Sequence, residues 1–316
     1  MRRRARPVLS GPRLKRKVAL IACRRSVLTS GGTLEGVPPL VSMLQRHGVN
    51  ATFLFSLGPD NTGRALRRIF RPGFLAKALR TSVGANYGLK TLSYGVLWPG
   101  PQIGRRAESV LRAVRDAGFE VGVHCHDHVL WQDKVVNRNE AWTRRQMALA
   151  VDEFQRIFAT APRIHGAAGW QVNDFVPELE VEFGFELASD TRGVSPFLPR
   201  TSRAKPVCLQ LPTTLPTLDE MIGLDGCTEA NVADRVLALT RQHAGRDQVF
   251  TLHAEIEGMR LAPAFDALLR GWMQAGVQPC SLGELARTLD LQALPTQPIL
   301  QGEIPGRSGR LACQAQ

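Results

Sequence analysis

The chain of 316 residues is 44% hydrophobic with 29 glycines, enough to bury a sizeable core in one large domain or two small ones, and a single domain is the simpler reading. Its formal charge of +12 is concentrated at one end: ten basic residues from Arg2 to Arg25 precede the first acid, Glu35, and without them 30 basic residues face 28 acidic ones. A nearly neutral body without a base-reading module excludes nucleic acid as the expected partner, six cysteines without a C-x-x-C pair exclude a disulfide framework or a cysteine-ligated zinc ribbon, and neither a secretory signal peptide nor an apolar membrane span is expected.

Residues 1–16, rich in Arg and Pro, read as a disordered basic arm. The run from Lys17 to Cys23 predicts a first strand. Apolar residues at helical spacing from Leu34 to His47 predict a helix that stops at Gly48, and Ala51 to Phe55 predicts a second strand. Residues 58–100 break this rhythm with Pro-Gly punctuation and seven basic residues against one acid, Asp60, and read as an insertion over one face. Its stretches Arg67-Arg68-Ile69-Phe70-Arg71 and Phe74 to Arg80 interleave bulky apolar and cationic side chains. That pattern suits an anionic membrane surface, or equally an amphipathic pair of helices packed on the body.

Alternation then resumes. A helix is predicted over 105–117, a strand over 119–123, a helix over 141–158, a strand over 163–167, a helix over 176–183, and strands over 186–188 and 207–211. A helix over 229–243, a strand over 248–252, a helix over 264–275, a strand over 277–280 and a helix over 282–289 complete the series. This regular alternation predicts an α/β fold with a mainly parallel sheet, closed or nearly closed into a β/α barrel, formed by one catalytic domain over 17–291. Residues 292–316 are Pro, Gly and polar, and read as a flexible tail.

In a β/α barrel, chemistry gathers where strands end and loops begin. His124-Cys125-His126-Asp127-His128 follows the predicted strand 119–123, and two imidazoles spaced i, i+4 at a strand mouth can turn inward together to suit a divalent metal such as zinc. An ordinary polar loop would show the same local spacing. Ala167 to Trp170, Ser189 to Gly193, and His253-Ala254-Glu255-Ile256-Glu257 also follow predicted strands, and one shared site is the better account of four such loops.

These residues stand in a longer series running from about Gly32 to Leu289: Gly32 to Pro38, Ser56 to Arg64, Trp98-Pro99-Gly100, Glu120 to His124, Asp127-His128, Ala167 to Trp170, Ser189 to Gly193, Leu215-Pro216-Thr217 with Asp219-Glu220, and His253 to Gly258. The series resembles the polysaccharide deacetylase (NodB-like) superfamily of metal-dependent amide hydrolases. The resemblance implies a distorted (β/α) barrel and a divalent ion held by one Asp and two His, zinc first, with manganese, cobalt or nickel as alternatives. In the branch whose stretches match, it implies removal of a formyl group from an amino sugar carried on undecaprenyl phosphate, in lipid A modification and cationic peptide resistance. It also implies a peripheral place on the anionic cytoplasmic face of the inner membrane.

By motif, His124 and His128 correspond to the ligand histidines and His253 to the histidine on the late strand, a candidate general acid for the departing amine. Asp190 could orient a ligand histidine or a sugar hydroxyl, Arg192 could grip a phosphate, Trp170 offers a flat face for a sugar ring, and Glu255 joins the substrate-binding set. A core role for His253, a surface ion pair for Asp190 and Arg192, and a buried place for Trp170 are the plainer readings. His47, His126, His165 and His243 are assigned no chemistry.

The resemblance fails at two places, the lesser being Gln171-Val172-Asn173 after the tryptophan, where the family carries Arg and Asp, which weakens the substrate-positioning role of that loop. The family's first motif puts an Asp-x-Asp pair after the first strand, one acid a metal ligand and the other a general base, and counting back from Gly32 those places fall near Ser26 and Leu28. Two explanations stay open: a shifted reading frame upstream of Gly32, or a catalytically impaired homologue that only binds the lipid carrier. A general polysaccharide deacetylase is a further enzyme reading.

Overall fold

The computed structural model describes residues 16–23, 32–61, 64, 100–203, 205–243 and 245–315. The basic arm, almost all of the insertion, and Ser26 and Leu28 lie outside the described residues.

Among these, eight strands form one parallel sheet in the order β7-β5-β4-β3-β2-β1-β8. They are β1 (Lys17–Cys23), β2 (Thr52–Ser56), β3 (Glu120–Cys125), β4 (Ile164–His165), β5 (Leu187–Ala188), β7 (Leu209–Gln210), β8 (Gln248–His253) and β9 (Gln278–Cys280). On one edge of β1, the C-terminal half pairs with β2 and the N-terminal half with β9. Helices α1 (Val37–Arg46), α2 (Glu108–Asp116), α3 (His128–Lys134), α4 (Glu140–Phe158) and α5 (Val176–Glu182) fill the crossovers of the first half. They are followed by α6 (Leu218–Met221), α7 (Val232–Gln242), α8 (Ala254–Glu257), α9 (Ala262–Gln274) and α10 (Leu282–Ala286). Strands buried on both faces read as unbroken apolar runs, which is why KVALIAC and VFTL are legible as strands.

Alternate strand residues point to opposite faces, and the core divides accordingly. Ala19, Ile21 and Cys23 with Leu54, Ile164, Leu187, Leu209 and Val249 fill the concave side, closed at the bottom by Leu282 and Leu285 of α10. Val18, Leu20, Ala22, Phe53, Phe55 and Phe250 face the helices. The same parity sets the site: His253 follows Val249 and Thr251 on the concave side of β8, and His124, one residue from helix-facing Val123, lies on the concave side of β3. Helix starts are chemically marked. Asn139 caps α4 by accepting from Trp142 N at 3.0 Å, and Ser281 with Glu284 forms a capping box on α10.

Two expectations change here. His124 does not follow its strand but is the penultimate residue of β3, because pairing continues to Cys125 opposite Ser56. The segment from 292 onward, expected as a flexible tail, forms β10 (Thr296–Gln297), paired with β6 (Leu198–Pro199), and the hairpin of β11 (Ile299–Glu303) and β12 (Arg310–Gln314). Its short strands carry no hydrophobic period, and only Leu311, Ala312 and Gln314 are fully buried.

Candidate active site

His124 and His128 are brought together at the C-terminal rim of the sheet, both buried, with ring centroids 5.2 Å apart. His124 is held from behind. His124 Nδ1 lies 2.5 Å from the carbonyl oxygen of Gly166, which can only accept, so Nδ1 carries the proton and Nε2 keeps its lone pair. Burial pushes the His124 imidazole down to about 4, so it is neutral at physiological pH, as a ligand must be. His128 is the first residue of α3, and Asp127 caps that helix: one carboxylate oxygen accepts from Leu130 N at 3.0 Å and the other from Asn61 Nδ2 at 2.6 Å. His126 is half-buried, with its ring so close to Gly58 that a Cβ there would meet it at 2.6 Å.

His253 ends β8, in register with Cys23 on β1. Its Nδ1 lies 3.9 Å from Asp219 Oδ1, and its backbone N–H donates to Glu257 Oε2 at 2.7 Å. Burial, with the Asp219 and Glu255 charges adding to it, raises the Glu257 carboxyl well above its usual range. Burial likewise raises the Cys23 thiol, with Glu255 and then Cys125 contributing. Glu255 and Cys125 therefore both lie within electrostatic reach of Cys23, at the end of the strand that separates β8 from β2 and β3.

The other expected site residues sit differently. By strand parity Asp190 projects to the helix side of the sheet, away from the concave rim, and it is fully buried. It accepts from Ala167 N at 2.6 Å and Gln210 Nε2 at 2.7 Å, and lies 3.1 Å from His165 Nδ1, which donates to Glu180 Oε1 at 2.6 Å. Burial alone would lower the His165 imidazole, but Asp190 and Glu180 outweigh it and hold it up at about 10. Burial would raise Asp190, yet His165 holds it down at about 2, and burial with the neighbouring Asp190 charge pushes Glu180 up. A residue assigned no chemistry from sequence is thus the centre of a buried charge network beneath the Gly166 carbonyl that holds His124.

Arg192 is also buried: Nη1 donates to Glu220 Oε1 at 2.7 Å and Nη2 to the Leu215 carbonyl at 3.1 Å. Trp170 is 7% exposed, in the left-handed region at φ +52°, with its indole N–H donating to Thr213 Oγ1 at 3.2 Å. The guanidinium carbons of Arg192 and Arg307 lie 5.0 and 4.7 Å from its ring centroid. Of the four residues expected to bind substrate, Glu255 alone is partly exposed, and its two carboxylate oxygens are buried. Asp219 and Arg307 received no role from sequence. Asp219 stood inside a matching stretch, but nothing local marked Arg307.

The two imidazoles fit a divalent ion as neutral ligands, but the only group of three His, Cys, Asp or Glu within mutual reach among the described residues is His165, Glu180 and Asp190, which is bonded within itself. The stretch Arg24 to Gly31 contains no Asp, Glu, His or Cys. Among the described residues, the histidine pair thus has no acidic side chain within mutual ligand reach of both rings.

No protein-family model matches the chain. It is 35% identical over 305 residues, covering 95% of this chain and 96% of the relative, to a protein of Shewanella sediminis named probable 4-deoxy-4-formamido-L-arabinose-phosphoundecaprenol deformylase ArnD. It is 32% identical over 284 residues, covering 90% of this chain and 98% of the relative, to a protein of the same name from Wigglesworthia glossinidia brevipalpis. Among solved structures, a protein of Mycobacterium smegmatis described as a polysaccharide deacetylase superposes with a TM-score of 0.61 at 17% identity, covering 95% of this chain and 99% of that one. A probable polysaccharide deacetylase of Pseudomonas aeruginosa gives 0.59 at 14% identity, covering 86% and 89%. The fold is therefore the distorted barrel of the polysaccharide deacetylases.

Proposed function

Because this chain belongs to the family of ArnD-type 4-deoxy-4-formamido-L-arabinose-phosphoundecaprenol deformylases, hydrolases of an amide C–N bond, we propose that it removes the formyl group from 4-deoxy-4-formamido-L-arabinose linked to undecaprenyl phosphate. The observation that carries this reading is the His124 and His128 pair on the same concave rim as His253.

Hydrolysis adds water across the C–N bond: the formyl carbon takes the hydroxyl and leaves as formate, and the amine nitrogen takes a proton. His253 supplies that proton, with Asp219 beside its Nδ1 and Glu257 fixing its backbone. His124 and His128 would hold a divalent ion, zinc first, which when bound supplies Lewis-acid polarisation of the formyl oxygen and an acidified water. Glu255, next to His253, is assigned to the substrate. Trp170, Asp190 and Arg192 act from behind, keeping the rim loops in place. The basic insertion is assigned to the anionic cytoplasmic surface of the inner membrane, where a polyprenyl phosphate resides, with aminoarabinose addition to lipid A and cationic peptide resistance as the outcome. No helix among the described residues is long and apolar enough to cross a membrane.

A second reading is favoured by the acid-free stretch from Arg24 to Gly31: a homologue that binds the carrier and turns over slowly or not at all. Purified protein assayed for zinc content, for formate release from the formamido-sugar lipid and for binding of that lipid separates the two. Formate release abolished in His253→Ala supports the deformylase. Lipid binding with no formate supports the second reading, and loss of both sinks each of them.

A further inference from the structure

The C-terminal segment is fastened to three loops that carry site residues. Gln171 Nε2, beside Trp170, donates to the Arg310 carbonyl at 2.7 Å. Arg192 N–H donates to the Ala312 carbonyl at 2.9 Å, and Gln314 N–H returns to the Arg192 carbonyl at 2.7 Å. The third attachment is made by Pro305-Gly306-Arg307 against the start of α6. Gly306 has φ +79°, and a Cβ there would lie 2.2 Å from the Glu220 carbonyl oxygen, so only glycine lets the two backbones approach this closely. Arg307 follows with its side chain 8% exposed. Nε donates to Glu220 Oε1 at 2.6 Å, Nη2 lies 3.8 Å from Asp219 Oδ1, and Nη2 also reaches Thr217 Oγ1 at 3.4 Å. Thr217 in turn donates to Asp219 Oδ1 at 2.6 Å, the same oxygen that lies 3.9 Å from His253 Nδ1.

A long guanidinium buried beside two carboxylates is an expensive arrangement unless its geometry serves something, and among the described residues its hydrogen-bonded and charged contacts lead to His253 through Asp219. We propose that Arg307 is a positioning residue for the deformylation: it fixes the Asp219 carboxylate and partly neutralises it, so that His253 is oriented by Asp219 yet releases its proton to the departing amine. The segment from 296 to 314 therefore completes the active site. The charged groups about His253 are Asp219 of α6, Glu255 and Glu257 of α8, and Arg307, with the Cys23 thiol opposite on β1. Removing Arg307 takes away a positive charge beside Asp219 and leaves the Asp219 carboxylate unneutralised, which favours the imidazolium and makes His253 a weaker acid.

The test compares full-length wild type with Arg307→Ala, Asp219→Asn and the double variant, each loaded with zinc. Arg307→Ala should lower kcat for formate release by roughly 10–100-fold, as loss of a partner behind a functional histidine does, with KM nearly unchanged. Added guanidinium ion should restore part of kcat to Arg307→Ala and none to Asp219→Asn. The imidazole NMR signal of His253 should titrate at higher pH in Arg307→Ala, and the double variant should show no additional shift over Asp219→Asn, since Arg307 acts through Asp219. Arg307→Lys keeps the charge but not the planar fork, and serves the comparison if alanine at 307 does not fold.

The proposal rests on His253 as proton donor. A wild type silent in the formate assay sinks the deformylase reading and leaves the role of Arg307 to the His253 titration alone. A His253 signal that titrates identically with and without the Arg307 guanidinium, or an additive double variant, overturns the role of Arg307.

Discussion

The His124 imidazole and the Gly166 carbonyl are joined across neighbouring strands, Nδ1 to oxygen at 2.5 Å, and this single bond decides which ring nitrogen faces the rim. With Nδ1 committed as donor, only Nε2 can bind an ion, beside the His128 ring at the start of the helix that Asp127 caps.

His124→Ala and His128→Ala should therefore each abolish zinc binding in calorimetric titration. The pH dependence has a definite sign. The His124 ring is held down at about 4 by burial, below the 6.5 of a free imidazole, so it remains a competent ligand through pH 5 and is lost as pH falls through 4. Its contribution to folding stability is likewise present above pH 6.5 and lost on descending toward 4. Zinc affinity untouched by His128→Ala would remove the basis for the ligand pair.

The buried network of His165, Glu180 and Asp190 should respond asymmetrically to isosteric change. Glu180, pushed up by burial and by Asp190, is the carboxyl that keeps a proton, so Glu180→Gln preserves an acceptor toward His165 and a donor toward Asp190, and should change stability by less than about 1 kcal/mol. Asp190→Asn leaves the His165 imidazolium buried without its main counter-charge and should cost about 3–5 kcal/mol in urea denaturation. His165 is raised to about 10, so the stability it contributes is full below pH 6.5 and declines as pH rises toward 10. Equal losses in the two variants would contradict this assignment of the proton.

Trp170 distinguishes a sugar platform from a packed rim. It is 7% exposed, bonded to Thr213, and lies under Arg192 and Arg307. Trp170→Ala should lower stability by about 3–5 kcal/mol, as loss of a buried aromatic does, and Trp170→Phe should lose less, chiefly the indole bond. A Trp170→Ala protein of wild-type thermal stability whose only defect is a raised KM would restore the platform role.

The sheet was legible because apolar runs such as KVALIAC must be buried on both faces, and the rim followed from strand ends: β1 has the expected bounds, and the histidines share one side. What stayed hidden depends on contacts distant in sequence. Asp190 and Arg192 stand in one tight loop, but strand parity sends Asp190 to the helix side, while burial against Glu220 satisfies Arg192. The C-terminal hairpin has no apolar period, since its order comes from backbone bonds to Arg192 and from Gly306 against Glu220. No local pattern announces such pairings.

The missing acids give the sharpest prediction. β1 ends at Cys23 in register with His253, and the next acid is Glu35, so the rim has three imidazoles but no Asp at the places near Ser26 and Leu28 where the family's pair is expected. General base catalysis contributes roughly 100-fold to 10,000-fold, and an anionic ligand strengthens ion binding besides. The chain as it stands should release formate slowly, and Ser26→Asp with Leu28→Asp should raise the rate by about 100-fold or more and tighten zinc binding. Ser26→Ala with Leu28→Ala controls for side-chain volume and should do neither. The idea fails if the double Asp protein, folded to the same stability, binds zinc no better and turns over no faster than its parent, because the carboxylates would then have to come from elsewhere on the rim.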